Sequence, residues 1–260
     1  MTVNGENRFK VHARDAANWP RLTPHLKRDA STAARFFATI VAAMQAGSGE
    51  VTLRAVLLDW DGTLLDSYHA DTQAYLEMFQ ELGIGWGAAE LARHYSPDGH
   101  RVYRAAGLPR NRWEQADRLW GRFYRRQKPA LLPGARRVLR ELSRRFTLGL
   151  VTSGSRARVR RQLRHFGLSE LFAVRICCED APRRKPHPAP LEAALRRLRL
   201  KPEVCVYVGD SPEDIKMARS AGVRAIAVLG PFPTHDGLRA VRPDALLSSI
   251  DQLPRLLKNY

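Results

Sequence analysis

Five short runs of almost unbroken aliphatic residues, each separated from the next by a stretch of helical periodicity, limit what this 260-residue chain can fold into. Arg54–Trp60, Thr147–Thr152, Ala173–Cys178, Val204–Val208 and Arg224–Leu229 predict strands, because each is too short for a helix and flanked by polar or turn-forming residues. Strands that alternate with helices pair in parallel. Continuous apolar character, as in Val204-Cys205-Val206-Tyr207-Val208, suits strands covered on both faces. The expected fold class is therefore α/β, a doubly wound, Rossmann-like parallel sheet. An apolar content of 44% is enough to fill such a core.

The first two strands are separated by the segment from Ser67 to Arg145, far longer than the roughly 12 residues a crossover needs. Helical patterns near Tyr68–Leu82, Gly87–Tyr95 and Arg112–Gln127, broken by Gly83, Gly85, Pro97, Gly99, Gly107 and Pro109, predict a small α-helical domain inserted over residues 67–129. The core domain then comprises residues 51–66 and 130–260. The chain returns to it through a helix at Ala135–Arg145 that carries Val138, Leu139 and Leu142 on one face. Residues 1–50 read as an N-terminal extension with helical periodicity only near Ser31–Gln45. A start at Met44 or Val51, a flexible arm and a docking helix are all compatible with it.

Composition narrows the setting. No run of about 18 uncharged apolar residues occurs, so no membrane-spanning helix is expected. Three cysteines, Cys177, Cys178 and Cys205, lack the spacing of a zinc site or a disulfide framework and suit a reducing, cytoplasmic setting. The formal net charge is +17, of which residues 131–200 contribute +12. Such a field attracts nucleic acid, anionic membranes or phosphorylated metabolites alike. Its arginines lie on two helices, Arg136, Arg137, Arg140, Arg144 and Arg145 on one and Arg156, Arg158, Arg160, Arg161 and Arg164 on the next. Val159 and Leu163 keep helical spacing between them, and no aromatic residues interleave with the charges, so solvated outer faces are expected and nucleic acid is the weaker alternative.

The chemistry is concentrated where strands end. Asp59-Trp60-Asp61-Gly62-Thr63 follows the first apolar run, so the two carboxylates project to one side and Trp60 to the other. Ligands in open parallel sheets bind beyond the carboxyl ends of the strands, and Gly62 permits the chain to turn sharply there. Carboxylates this close repel unless a cation intervenes, and a hard, oxygen-seeking ion such as Mg²⁺ is the natural companion. Thr152-Ser153-Gly154-Ser155 ends the second strand and opens a helix, offering a hydroxyl and helix N-terminal N–H groups to an anion, with Ser155 as an N-cap in the plainer reading. Lys185 precedes Pro186, which favours an extended conformation from which the amine can reach inward, with a solvated lysine in a basic run as the plainer reading. Asp210 ends the fourth strand, and Ser211-Pro212-Glu213-Asp214 opens the next helix as an approximate capping box. Asp210 has no capping role and reads as a metal ligand, with Asp214 as its support.

In these four elements, in their order and spacing, the chain resembles the haloacid dehalogenase-like hydrolase superfamily over residues 54 to about 255. The helical insertion resembles the cap of its phosphoglycolate-phosphatase-like and β-phosphoglucomutase-like branch. The resemblance implies a Mg²⁺-dependent phosphatase of small phosphorylated metabolites, monomeric or homodimeric, in which Asp59 is the nucleophile and forms an aspartyl-phosphate. Asp61 would be the general acid and base, and to serve as acid it would start protonated, with a raised pKa. Thr152, the Ser153 backbone and Lys185 would hold the phosphoryl group, with Gly62 and Thr63 of the first loop on the same side. Asp59, the Asp61 carbonyl and Asp210 would bind Mg²⁺, supported by Asp214. The presence of Asp61 disfavours a dehalogenase, and the absence of an internal lysine from the insertion disfavours a phosphonate hydrolase. A phosphomutase shares all four motifs and stays an alternative. Tyr68, His69, Arg93, His94, Tyr95, Arg101 and Tyr103 are the polar or aromatic insertion residues that could touch a leaving group.

Overall fold

The structure, a computed structural model, describes residues 52–259; the helical stretch expected near Ser31–Gln45 lies outside them. Six strands form one parallel sheet in the order β5-β4-β1-β6-β7-β8: β1 (Ala55–Leu58), β4 (Thr147–Val151), β5 (Val174–Ile176), β6 (Cys205–Gly209), β7 (Arg224–Val228) and β8 (Ala245–Leu247). The sheet is covered on both faces. Along β1, Val56 and Leu58 join one buried cluster while Ala55 and Leu57 join the other, and in β6 Val206 and Val208 alternate with Cys205 and Tyr207 in the same way. Helices α5 (Ala135–Leu142) and α6 (Arg156–Phe166) supply Val138, Leu139, Leu142, Val159 and Leu163 to the first cluster. Helices α7 (Ala189–Leu198) and α8 (Pro212–Ser220) supply Leu191, Leu195, Ile215 and Met217 to the second.

Strand order reverses beside β1. From β1 the chain passes to β4 and β5 on one side, then crosses back to β6, β7 and β8 on the other. That reversal opens a crevice at the carboxyl ends of β1, β4 and β6, the ends at which Asp59, Thr152 and Asp210 stand.

Two features were not expected from sequence. Strand β8 follows Pro243 and is only three residues long, so it lacks the sustained β-branched run that marks the others. A two-residue antiparallel ribbon pairs β2 (Leu65–Asp66) with β3 (Ala130–Leu131), and it clamps the points at which the insertion leaves and rejoins the sheet.

Between them lie four helices: α1 (Tyr68–Leu82), α2 (Ala88–Arg93), α3 (Gly99–Ala105) and α4 (Trp113–Tyr124). Helix α3 corrects the reading of Pro97 and Gly99 as mere breaks. The Asp98 side chain accepts from the His100 N–H at 3.3 Å, so the break becomes an N-cap. The four helices bury a cluster of their own, with Tyr75, Met78, Phe79, Val102, Leu119 and Phe123 among its members. Helices α9 (His235–Ala240) and α10 (Leu253–Leu256) complete the described chain.

Leu139 is fully buried between α5 and the sheet. Leu139→Ala is expected to lower unfolding free energy by about 2–5 kcal/mol, read by urea titration, without altering the crevice.

Candidate functional site

The backbone N–H of Asp59 donates to the Val208 carbonyl at 2.9 Å, which aligns the end of β1 with the end of β6. Asp59, Asp210 and Asp214 thereby converge, each buried, with one oxygen of each within 4.8 Å of the others. Asp214 reaches the cluster from the first turn of α8. The Ser211 hydroxyl and N–H donate to its Oδ2 at 2.6 and 3.1 Å, and its own N–H donates back to Ser211 Oγ at 3.2 Å. The capping box is therefore formed, yet it occupies only one carboxylate oxygen. The other, Oδ1, faces Lys185.

Lys185 is 5% exposed, and its Nζ donates to Asp59 Oδ1, Asp214 Oδ1 and Tyr207 Oη, each at 2.7 Å. All three ammonium protons are thus directed. Tyr207, read from sequence only as part of a strand, also lies 3.0 Å from the Val151 carbonyl and 2.9 Å from Asp214 Oδ1. Its signal was a hydroxyl in the middle of an otherwise aliphatic run.

The electrostatics follow from this geometry. Burial pushes Asp59 up to about 7; Lys185 opposes the rise and the Asp214 charge adds to it. Burial, with the charges of Asp59 and Asp214, holds Asp210 well above the ordinary carboxylate range. Burial works against the Lys185 ammonium, but Asp214 and Asp59 outweigh it and raise its pKa. Three acids against one base leave negative charge uncompensated, so this oxygen-only set fits a hard divalent cation.

Gly62 and Thr63 do not line the cavity; both instead pack against Asp210. Thr63 is fully buried and donates its hydroxyl to Asp210 Oδ1 at 3.1 Å. Gly62 has φ of 81°, and a Cβ there would stand 2.1 Å from Asp210 Oδ2, so both conformation and space require glycine.

Asp61 differs from expectation. Arg158 of α6 grips it with both amino groups, Nη1 to Oδ1 at 2.8 Å and Nη2 to Oδ2 at 2.6 Å. Burial pushes the Asp61 carboxyl upward, but Arg158 prevails and holds it below its ordinary value. The expected raised pKa is therefore not what this arrangement produces. The same contact corrects the placement of Arg158 on a solvated face, since it is 9% exposed and its guanidinium stacks 5.0 Å from the Tyr124 ring centre. One turn along α6, Gln162 accepts from Trp60 Nε1 at 3.0 Å. Its α6 neighbours Arg160, Arg161 and Arg164 are exposed, as read.

Thr152, Ser153 and Gly154 line the crevice. The Thr152 hydroxyl accepts from the Gly154 N–H at 3.0 Å, which holds the loop in its turn. At the start of α6 the Arg156 N–H is already taken by the Glu179 carboxylate, at 2.9 and 3.1 Å, and Ser155 makes no side-chain cap. That N–H group is therefore not among those open to an anion.

Together these residues wall a cavity of about 780 Å³, closed on its far side by Asp71, Tyr75, Tyr95 and Tyr103 from the inserted helices. Of the seven insertion residues considered from sequence, Tyr95 and Tyr103 reach it. Tyr68 packs edge-on against Phe232, His94 stacks on Trp86, Arg93 pairs with Glu90, and Arg101 pairs with Glu213; His69 is not on the cavity wall. Asp71 was missed. Burial, with the charge of Asp61, pushes it up to about 7, and its Oδ1 accepts from Trp120 Nε1 at 3.1 Å. Only its position in the first turn of α1 marked it in sequence, where an acid has an ordinary helix-dipole explanation.

A parallel sheet with carboxylates at the ends of β1 and β6 and a lysine between them defines a hydrolase of the haloacid dehalogenase-like class, and the sequence profile of the haloacid dehalogenase-like hydrolase family matches residues 56–228. The chain belongs to that family. It is 30% identical over 224 residues to the phosphoglycolate phosphatase of Yersinia pestis, covering 78% of this chain and 93% of that one. It is 28% identical over 212 residues to the pyrophosphatase PpaX of Bacillus cereus, covering 80% of this chain and 97% of that one. Among solved structures, CbbY from Rhodobacter sphaeroides in complex with phosphate superposes with a TM-score of 0.67 at 26% identity, over 78% of this chain and 96% of that one. No helix among the described residues is long and apolar enough to cross a membrane.

Gly62→Ala is expected to displace Asp210 and weaken divalent-cation binding, which calorimetric titration with Mg²⁺ reads directly. A second expectation concerns pH. Folded Asp59 keeps a proton up to about pH 7, whereas its ordinary value is 3.8, so its stabilising contribution is whole below about pH 4 and is lost as pH rises to about 7. In protein stripped of divalent ions, Asp59→Asn should therefore gain stability relative to wild type across that window. Denaturant midpoints at several pH values measure the gap, and a gap independent of pH would contradict it.

Proposed function

We propose that the chain is a Mg²⁺-dependent phosphatase of small phosphorylated metabolites, acting through an aspartyl-phosphate on Asp59. The observation that carries this reading is the buried Asp59 carboxylate, held by Lys185 through one oxygen and facing the cavity that Asp61 also lines. Lys185 engages Oδ1, so Oδ2 is the oxygen left to attack phosphorus. A carboxylate approaching a phosphate meets like charge, and the Lys185 ammonium and the N–H groups of the Ser153 loop reduce that repulsion. Mg²⁺ held by Asp59, the Asp61 carbonyl and Asp210, with Asp214 in support, would neutralise the remaining charge on the phosphoryl oxygens.

In the first half-reaction Asp61, once released from Arg158, takes up a proton from solvent; Asp59 then bonds to phosphorus, the bond to the leaving oxygen breaks, and Asp61 gives that oxygen the proton. In the second, Asp61 takes a proton from water, whose oxygen attacks phosphorus and releases inorganic phosphate from Asp59. Asp61 must leave Arg158 to play either part. The inserted helices act as a lid whose ties to the sheet domain include the exposed Arg101–Glu213 and Arg184–Asp98 pairs, each 3.5 Å long. Surface pairs of this kind hold by about 1 kcal/mol or less, so the lid can open for exchange. The relatives named for phosphoglycolate and pyrophosphate favour small, highly charged substrates. The three unpaired cysteines suit a reducing, cytoplasmic setting.

Release of inorganic phosphate from phosphoglycolate, pyrophosphate and sugar phosphates, with Mg²⁺ and with chelator, tests the reading. Asp59→Asn should abolish turnover, and Asp61→Asn should lower kcat by about 10²–10⁴ while Mg²⁺ still binds. Turnover unchanged by both substitutions would refute it.

A further inference from the structure

Among the described residues, Arg158 Nε is buried without a hydrogen-bond partner, and Ser67 Oγ has no partner but the Asp61 carboxylate it faces. Both residues line the one cavity that also holds Asp59 and Asp61. Unsatisfied buried polar groups are uncommon in folded proteins, and a guanidinium nitrogen left so on a ligand-sized cavity points to a polar group that belongs there.

Arg158 is the more informative. Its guanidinium is buried, passes close over Gly154, where a Cβ would stand 2.3 Å from Nη2, and stacks against Tyr124 and Trp120. Its hydrogen-bonded carboxylate is that of Asp61 alone, since Asp71 is held by Trp120. Both Asp61 oxygens are taken by that grip, so Asp61 reaches a leaving oxygen only by letting Arg158 go. A buried guanidinium without an anion is strongly unfavourable. Whatever draws Asp61 away must bring its own replacement, and a planar guanidinium fork is matched by a carboxylate or a phosphate.

We propose that Arg158 is the subsite for a second anionic group carried by the leaving half of the substrate. It follows that the substrate is a phosphate ester or anhydride whose departing group bears a carboxylate or phosphate within a few bonds of the leaving oxygen. That anion takes the place of the Asp61 carboxylate on the guanidinium, and the exchange frees Asp61 to act, so substrates lacking the anion bind without releasing it. The proposal rests on the phosphatase reading and narrows it to a substrate class. Arg118, Arg122, Arg125 and Arg184, also on the cavity wall, favour entry of such polyanions.

The test compares phosphoglycolate, pyrophosphate and ethyl phosphate, whose departing groups are an alcohol bearing a carboxylate, a phosphate and an uncharged alcohol. In wild type, kcat/KM should favour the first two over ethyl phosphate. In Arg158→Gln, kcat/KM for an anionic substrate should fall by about 100-fold, chiefly through KM, while kcat for ethyl phosphate should rise, because Asp61 is then free without an anion to displace it. A loss confined to one of the two anionic substrates assigns the subsite to carboxylate or to phosphate. Arg158→Lys, which keeps the charge but not the fork, should lie between, and circular dichroism checks that both variants fold. Equal losses on all three substrates would make Arg158 a positioning residue for Asp61 and overturn the proposal, as would no loss on any. If wild type releases phosphate from none of them, the phosphatase reading has failed. Calorimetric binding of phosphoglycolate, weakened about 100-fold by Arg158→Gln, would still support the subsite, and unchanged binding would overturn it.

Discussion

The three hydrogen bonds of the Lys185 ammonium organise everything around the crevice. They join Asp59 after β1, Tyr207 within β6 and Asp214 on α8, so three separate segments are fixed by one buried charge. Burying an ammonium is costly unless paired, and burying clustered carboxylates is costly for the same reason, so each makes the other tolerable. The balance is incomplete, because Asp210 adds a further acid without adding a base. That residual negative charge suits a divalent cation, and burial, with the neighbouring carboxylates adding to it, explains why Asp59 and Asp210 retain protons to unusually high pH.

The second charged contact, Arg158 with Asp61, has a different character. It balances its own charge, though Arg158 Nε stays without a partner, and it holds Asp61 ionised, the opposite of what a resting general acid needs. Two adjacent carboxylates two residues apart are thus pulled in opposite directions by their partners, Asp59 up by burial and Asp61 down by arginine. Such divergence is characteristic of sites in which neighbouring acids perform different tasks. The inserted helices complete the enclosure with tyrosines and Asp71, so the chemistry sits on the rigid sheet and the enclosing wall on separately packed helices.

Much of this was legible in the chain. Strand β1 and the loop after it, with Asp59 and Asp61, followed from an apolar run ending in paired carboxylates, and the capping role of Asp214 followed from Ser211 and Pro212. What escaped had weak local signals. Strand β8 is too short to show a period, and α3 begins at a Pro-Asp-Gly sequence that looks like a turn. Arg158 sits among five arginines on one helix, and nothing in their spacing says that this one turns inward.

The sequence by itself determined the α/β class, the strand ends at which function gathers and the acids that stand there, because periodicity and strand termini are local properties, whereas Lys185, beside a proline in a basic run, was marked only by the family resemblance. Tertiary structure decided which charges meet: that Lys185 lies on Asp59 and Asp214, that Arg158 grips Asp61, and that Gly62 must yield its space to Asp210. Those outcomes depend on groups far apart in the chain, as does the bond of Thr63 to Asp210 across 147 positions. A pKa, and with it the task a carboxylate can perform, is set by burial and by neighbouring charge, and both come into being only when the chain is folded.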